Sequence, residues 1–261
     1  IMIGGSFLWT MFTKRYMQSR LTGTTDFTQV KKKVFSKVVQ YISPQFQYFE
    51  NGHIGIAEFI DSLLFKFERY TLKGGDQIVG HYNGIPFQSC NLMVTFRPNM
   101  RNEKEGDDVV FYGNFFVARS PKTFEHPIVV RPVKGFFSDF NDNAISTYLN
   151  YGGERIRLED PEFEKQFEVY CDDQITARYV LTPAFMQRLK KLNERHKGQV
   201  YFGINKNNIV IATNEGNSLM TVGSSPAAML FQKIDLPMVE SVYRELVEQL
   251  QMIDTLKLVD N

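Results

Sequence analysis

The residues best suited by type to do chemistry are acids. Glu159, Asp160, Glu162, Glu164, Glu168, Asp172 and Asp173 place seven carboxylates within fifteen residues. Hard cations require several convergent oxygens, and paired carboxylates can divide general acid and base roles. The same stretch reads as a helix start followed by a strand, an arrangement that fans side chains apart. Acids near a helix N-terminus are also favoured by the helix dipole without any ligand. A structural role is therefore the expectation for most of them. Asp172 and Asp173 stand out because they cap the segment before Gln174 and could face Arg178. These three residues form the candidate functional cluster.

Other chemistries find less support. The four histidines, His53, His81, His126 and His196, lie far apart and show neither HExxH nor HxH spacing, so zinc is not expected. Cys90 and Cys171 form no CxxC pair and are too few for a disulfide framework, so they read as two reduced thiols. No GxSxG, Walker A or GxGxxG element occurs. Gly74-Gly75 and Gly152-Gly153 are turn pairs. Tyr201 and Phe202 could stack on bases, but few cations accompany them and buried strand aromatics are commoner. No cofactor and no nucleic acid are expected. Enzymatic activity stays open, with the balance against it.

Charge is distributed unevenly. From Lys14 to Gln40 the chain carries seven cations (Lys14, Arg15, Arg20, Lys31, Lys32, Lys33, Lys37) against the single acid Asp26, a local +6 in a chain whose formal total is +1. Such a block suits a segment drawn to an anionic membrane surface, with Lys14, Arg15, Lys31, Lys32, Lys33 and Lys37 as the contacts. Ahead of it, residues 1–13 are uncharged and mostly apolar. They are too few to span a bilayer alone, which takes about 20 residues. They resemble the end of a transmembrane helix, with Trp9 and Tyr16 at interface depth and Lys14-Arg15 marking a cytoplasmic exit. A core helix and an interfacial segment compete with that reading. A secretory signal lacks the required order of charge and cleavage site.

These residues must be positioned by a scaffold, and periodicity predicts its elements. Residues 24–42 form an amphipathic helix striped by Phe27, Val30, Val34, Val38 and Ile42, with Lys31, Lys32 and Lys33 partly opposite. It either lies on lipid or packs on its own domain. A shorter apolar pattern covers 56–65. Asn83-Gly84 between extended runs predicts a hairpin over 76–96. Strands are expected at 108–119, 127–133, 155–158 and 167–171, with irregular chain at 97–108 and 135–144. Asp160-Pro161 and Thr182-Pro183 start helices, the second running to Arg195. Residues 199–214 are expected to form a second hairpin around Lys206-Asn207-Asn208, and 214–228 a Gly/Ser-rich mobile loop. A last helix, 237–256, is striped by Val239, Val242, Leu246, Leu250 and Ile253.

The segment LEDPEFEKQFEVYCDDQITARYVLTPAFMQRL (158–189) resembles the hallmark stretch of a bacterial family known as domain of unknown function 3137. Weaker likeness extends upstream through GHYNGIPFQ (80–88) and FYGNFFVARS (111–120), and downstream through the VYFGIN segment and the final helix. The resemblance implies a bacterial domain preceded by one or two transmembrane helices and engaged in an envelope process beside another envelope protein. It implies no activity, cofactor or catalytic residue. Cys171 stands where the family pattern leads one to expect glycine or a small polar residue, so any role for that thiol is particular to this chain.

Helices and antiparallel hairpins come in blocks without βαβα alternation, which predicts an α+β fold. Its antiparallel sheet is built from hairpins, with N-terminal, middle and C-terminal amphipathic helices packed on it. The expected organisation is a truncated transmembrane helix at 1–16, a basic juxtamembrane helical region at 17–72, and an α+β domain of unknown function at 73–261. The expected role is a non-enzymatic, tethered domain facing the cytoplasm at the bacterial inner membrane, where it binds a protein or lipid partner. The alternative is a divergent hydrolase or metal-dependent enzyme using the acids at 159–173.

Overall fold

The computed structural model describes residue 29 and residues 31–65, 70–96, 108–133, 153–214 and 236–255. Asn83 and Gly84 both take positive φ (50° and 78°) and join Tyr82 to Ile85 in a two-residue turn. Two consecutive left-handed residues match the twist of the flanking strands, so the expected hairpin forms here. It pairs β2 (Tyr70–Tyr82) with β3 (Ile85–Phe96). β3 in turn pairs with β4 (Asp108–Pro132), the longest strand at 25 residues. The sheet is completed by β1 (Gln47–Phe49) on β2, by β6 (Phe167–Cys171) on the end of β4, by β5 (Glu154–Ile156) on β6, and by β7 (Val200–Asn214) along β4. All seven strands are antiparallel to their neighbours, as an α+β fold requires. β1 and the first residues of β2 precede residue 73, yet they belong to the same sheet.

One expected hairpin does not form. Residues 200–214 make a single bent strand, whose Lys206 takes positive φ (54°) where the register against β4 shifts between Arg119 and Ile128. The Lys-Asn-Asn signal is used for a bulge rather than a reversal, because β4 continues past it and offers partners to both halves. For the same reason the two strands expected at 108–119 and 127–133 are one.

Two layers cover the sheet. One face packs under α1 (31–42), α3 (Pro161–Glu164), α4 (Gln174–Val180), α5 (Pro183–Arg195) and α6 (Leu236–Thr255). The other is covered by residues 54–65, which include α2 (Ile56–Asp61). There Phe59 stacks on Phe65 at 5.5 Å and meets Phe115 at the same distance, while Phe65 meets Phe111. The abundant phenylalanine is thus core: ten of the twelve largest fully buried side chains described are Phe. α4 is not among the elements that periodicity predicts, the expected helix starting only at Thr182-Pro183. The middle helix buries its expected stripe, Phe185, Met186, Leu189 and Leu192 in α5, and α6 buries Leu246, Leu250 and Ile253 of its own, while the burial of Val239 and Val242 lies outside what is described.

The N-terminal helix is rotated from its expected stripe. Phe35 and Val39 are buried, whereas Val34 and Val38 are only partly so; Ile42 of the expected stripe packs partly buried against the core, and Phe27 and Val30 lie outside what is described. Burial follows i, i+4 spacing through Lys31, Phe35 and Val39, turning α1 by about one residue, roughly 100°, from the valine stripe. Phe35 offers more area than either valine, and Lys31 finds a buried anion.

Candidate functional site

The 159–173 acids end up in separate pairs. Asp160 caps α3, accepting from the Glu162 and Phe163 amides at 3.0 Å each, and pairs with Lys190 at 2.8 Å. The Lys190 hydrogen bond, joined by the capped amides, holds its carboxyl below the usual range. Glu162 pairs with Lys165, and Glu164 accepts from the Leu158 amide. Glu168, on β6, bridges Arg131 and Arg155. Glu159 is exposed.

The candidate cluster of Asp172, Asp173 and Arg178 is likewise divided. Asp172 meets His126 at 2.8 Å on the surface. Asp173 caps α4, accepting from the Thr176 amide (2.8 Å) and hydroxyl (2.6 Å), and these bonds lower its pKa. Arg178 turns to the Gln174 side chain and the Arg157 carbonyl, beside the exposed Ile175 and Tyr179. Among the described residues, no three His, Cys, Asp or Glu side chains converge as a metal site requires. Both thiols are buried. Desolvation pushes Cys90 up to about 12 and Cys171 upward, so neither is a ready nucleophile.

What the fold does gather is a buried polar row across four strands. Asn91 on β3 lies opposite Asn114 on β4, and Asn114 opposite Thr213 on β7. Asp76 sits in a β2 bulge next to Gly75, the partner of Asn91, and takes positive φ (57°). All four are buried on the face beneath α1 and α6. Helix side chains complete the row. Gln249 donates to Asn114 Oδ1 at 2.7 Å, Ser89 Oγ lies within 3.3 Å of both, and the Thr213 hydroxyl donates to Glu245. At the other end Asp76 accepts from Lys31 Nζ (2.8 Å), the Tyr48 hydroxyl (2.5 Å) and Asn91 Nδ2 (3.3 Å). Burial, reinforced by the Asp76 carboxylate, raises the Tyr48 pKa and keeps the phenol a donor.

This row sorts the N-terminal lysines. Lys31, expected as a membrane contact, instead points inward, with its side chain only 12% exposed and its ammonium 5.8 Å from the Phe35 ring centre. Lys32, Lys33 and Lys37 are exposed, as are Gln40 and Tyr41, the last at 82%. Tyr41 neighbours Tyr243 of α6, which is also exposed. Lys14 and Arg15 lie outside the described residues, as does the apolar stretch at 1–16. Among the described residues no helix is long and apolar enough to cross a membrane. Sequence reasoning missed Asp76, Tyr48, Asn91 and Gln249, because isolated polar residues in strand-like or helical runs give no signal that they will be buried together.

The model of the family described as "protein of unknown function (DUF3137)" matches residues 109–258, from β4 through α6. The chain belongs to this family. The matched span includes Asn114, Thr213 and Gln249, while Lys31, Tyr48, Asp76 and Asn91 lie ahead of it. Among curated proteins no relative matches. Among solved structures, the crystal structure of the mycobacterial trehalose monomycolate transport factor A is similar over 88% of this chain and 98% of that one. Identity is 8% and the TM-score 0.41, a likeness too loose to carry an argument.

Proposed function

We propose that this family member is a non-enzymatic, membrane-tethered domain on the cytoplasmic side of the bacterial inner membrane, and that α1 is its lipid-facing element. The supporting observation is the sorting of the α1 cations. Lys31 is buried against Asp76 and fixes the helix rotation, which leaves Lys32, Lys33 and Lys37 exposed together with Tyr41. Each lysine near an anionic leaflet contributes about 1 kcal/mol, and an interfacial tyrosine suits the headgroup layer. In this reading residues 1–16 form the end of a membrane helix that holds the domain at the surface, and the basic face of α1 adds attraction to anionic lipid. The domain thereby stands ready to meet a protein or lipid partner of the envelope.

The test is vesicle co-sedimentation of the chain with phosphatidylglycerol-containing and pure phosphatidylcholine vesicles. Wild type is expected on the anionic vesicles only. The triple variant Lys32→Glu, Lys33→Glu, Lys37→Glu should lose that binding while melting like wild type. Equal binding by the variant would refute the lipid-facing role. Membrane fractionation of the native protein tests the tether separately, and a fully soluble protein would exclude it.

A further inference from the structure

Between α5 and α6 lies a cleft of about 280 Å³. One wall carries Arg188, Lys191 and Arg195, spaced i, i+3, i+7 and so aligned along one side of α5. Like charges at this spacing repel, and only Arg195, in the last turn, is favoured by the helix dipole. Among the described residues that line the cleft a single acid faces them: Glu248 of α6 pairs with Arg195. Arg188 donates to the Gln251 carbonyl at 3.0 Å, a contact that leaves its charge unmatched, and Lys191 has no partner among the described residues. Among the described lining residues, three cations against one carboxylate leave two charges in excess. Leu192 and Met252, both buried, supply an apolar floor.

We infer that this cleft binds a phosphate monoester carried on a small organic group. Such a phosphate bears close to two negative charges at neutral pH, which matches the excess. Guanidinium forks hold phosphate oxygens bidentately and an ammonium adds a point charge. The floor of Leu192 and Met252 favours an organic phosphate over the bare ion. Glu248 acts as a competitor for Arg195, so the site also has a built-in brake. The α1 surface plays no part in this inference, which stands or falls separately from the lipid-facing reading.

The experiment is calorimetric titration of the chain with glycerol 3-phosphate and with inorganic phosphate at fixed ionic strength, alongside vesicles containing phosphatidic acid. Saturable binding of glycerol 3-phosphate is expected, weakened about tenfold or more in Arg188→Gln/Lys191→Gln. Glu248→Gln should tighten it by freeing Arg195. Because Arg188 also ties α5 to α6, Lys191→Gln alone serves as the variant with least effect on folding, and its melting curve is checked beside it. Competition by phosphatidic acid vesicles, lost in the same variants, would identify the source as a lipid headgroup. Binding of the soluble ester without vesicle competition would identify it as a soluble compound. The α1 triple variant should bind the ester like wild type. No saturable binding of either soluble probe, or binding indifferent to Lys191→Gln and to the double variant, would overturn the inference.

Discussion

The two faces of the sheet are filled by opposite means. Under residues 54–65 the interior is nearly all apolar, with Phe59, Phe65, Phe111 and Phe115 packed ring to ring. Under α1 and α6 an apolar core is interrupted by Asp76, Asn91, Asn114, Thr213 and Gln249, with Lys31 reaching in from the helix. Rings hold that first layer by area and shape, which tolerate some rotation. A buried ion pair and matched amides tolerate little, since each unmet partner costs its desolvation. The second face therefore gives up some packing energy and gains a defined orientation for the helices, and that orientation decides which α1 cations meet solvent.

The comparison can be broken most forcefully at Asp76 and Phe115. Asp76→Ala should cost about 3–5 kcal/mol in urea denaturation, because it strands the Lys31 ammonium in the interior. The paired replacement Lys31→Met/Asp76→Asn should recover most of that loss, because asparagine tolerates the positive φ at this position and keeps an oxygen for the Tyr48 hydroxyl; failure to recover would mean that the stranded ammonium is not the main cost. Phe115→Ala should cost a similar amount, about 3–5 kcal/mol, yet no second truncation should rescue it, since a cavity rather than an orphaned charge is left behind. Gln249→Leu is a smaller intervention. Leaving Asn114 and Ser89 without their helix partner should cost about 1–3 kcal/mol, and amide exchange should rise where α6 crosses β3 and β4.

The smallest effect sharpens the comparison from outside the row. Asp160→Ala removes a helix cap and should cost about 1 kcal/mol at pH 7. The folded Asp160 carboxyl titrates below its ordinary value, so its stabilisation is complete above about pH 4 and drains away as pH falls through the folded value. Wild type should therefore converge on the variant upon acidification. A gap that does not narrow as the pH falls below about 4 would show that the carboxylate is not the source.

Legibility differed between these regions for a physical reason. The Asn83-Gly84 turn, the Asp160 and Thr182 caps, and the α5 and α6 stripes are local signals, each written within a few residues. The Lys206 signal was equally local, but whether it reverses the chain or only bulges it depends on the continuity of β4, which lies some eighty residues away in sequence. The acids at 159–173 looked like a cluster because they are neighbours in sequence, and the helix start and strand that hold them send each to a different partner. Asp76 and Lys31 look unrelated because 45 residues separate them.

By itself the sequence determined the α+β class, the antiparallel hairpin, the caps and the family, since turn chemistry, capping and hydrophobic period act over short stretches of chain. Only the tertiary structure decided which face of α1 is buried, that four strands share one polar row, and that Arg188, Lys191 and Arg195 confront Glu248 across a cleft. Those outcomes depend on partners brought together by the sheet and its helices, and no local pattern in the chain encodes the pairing.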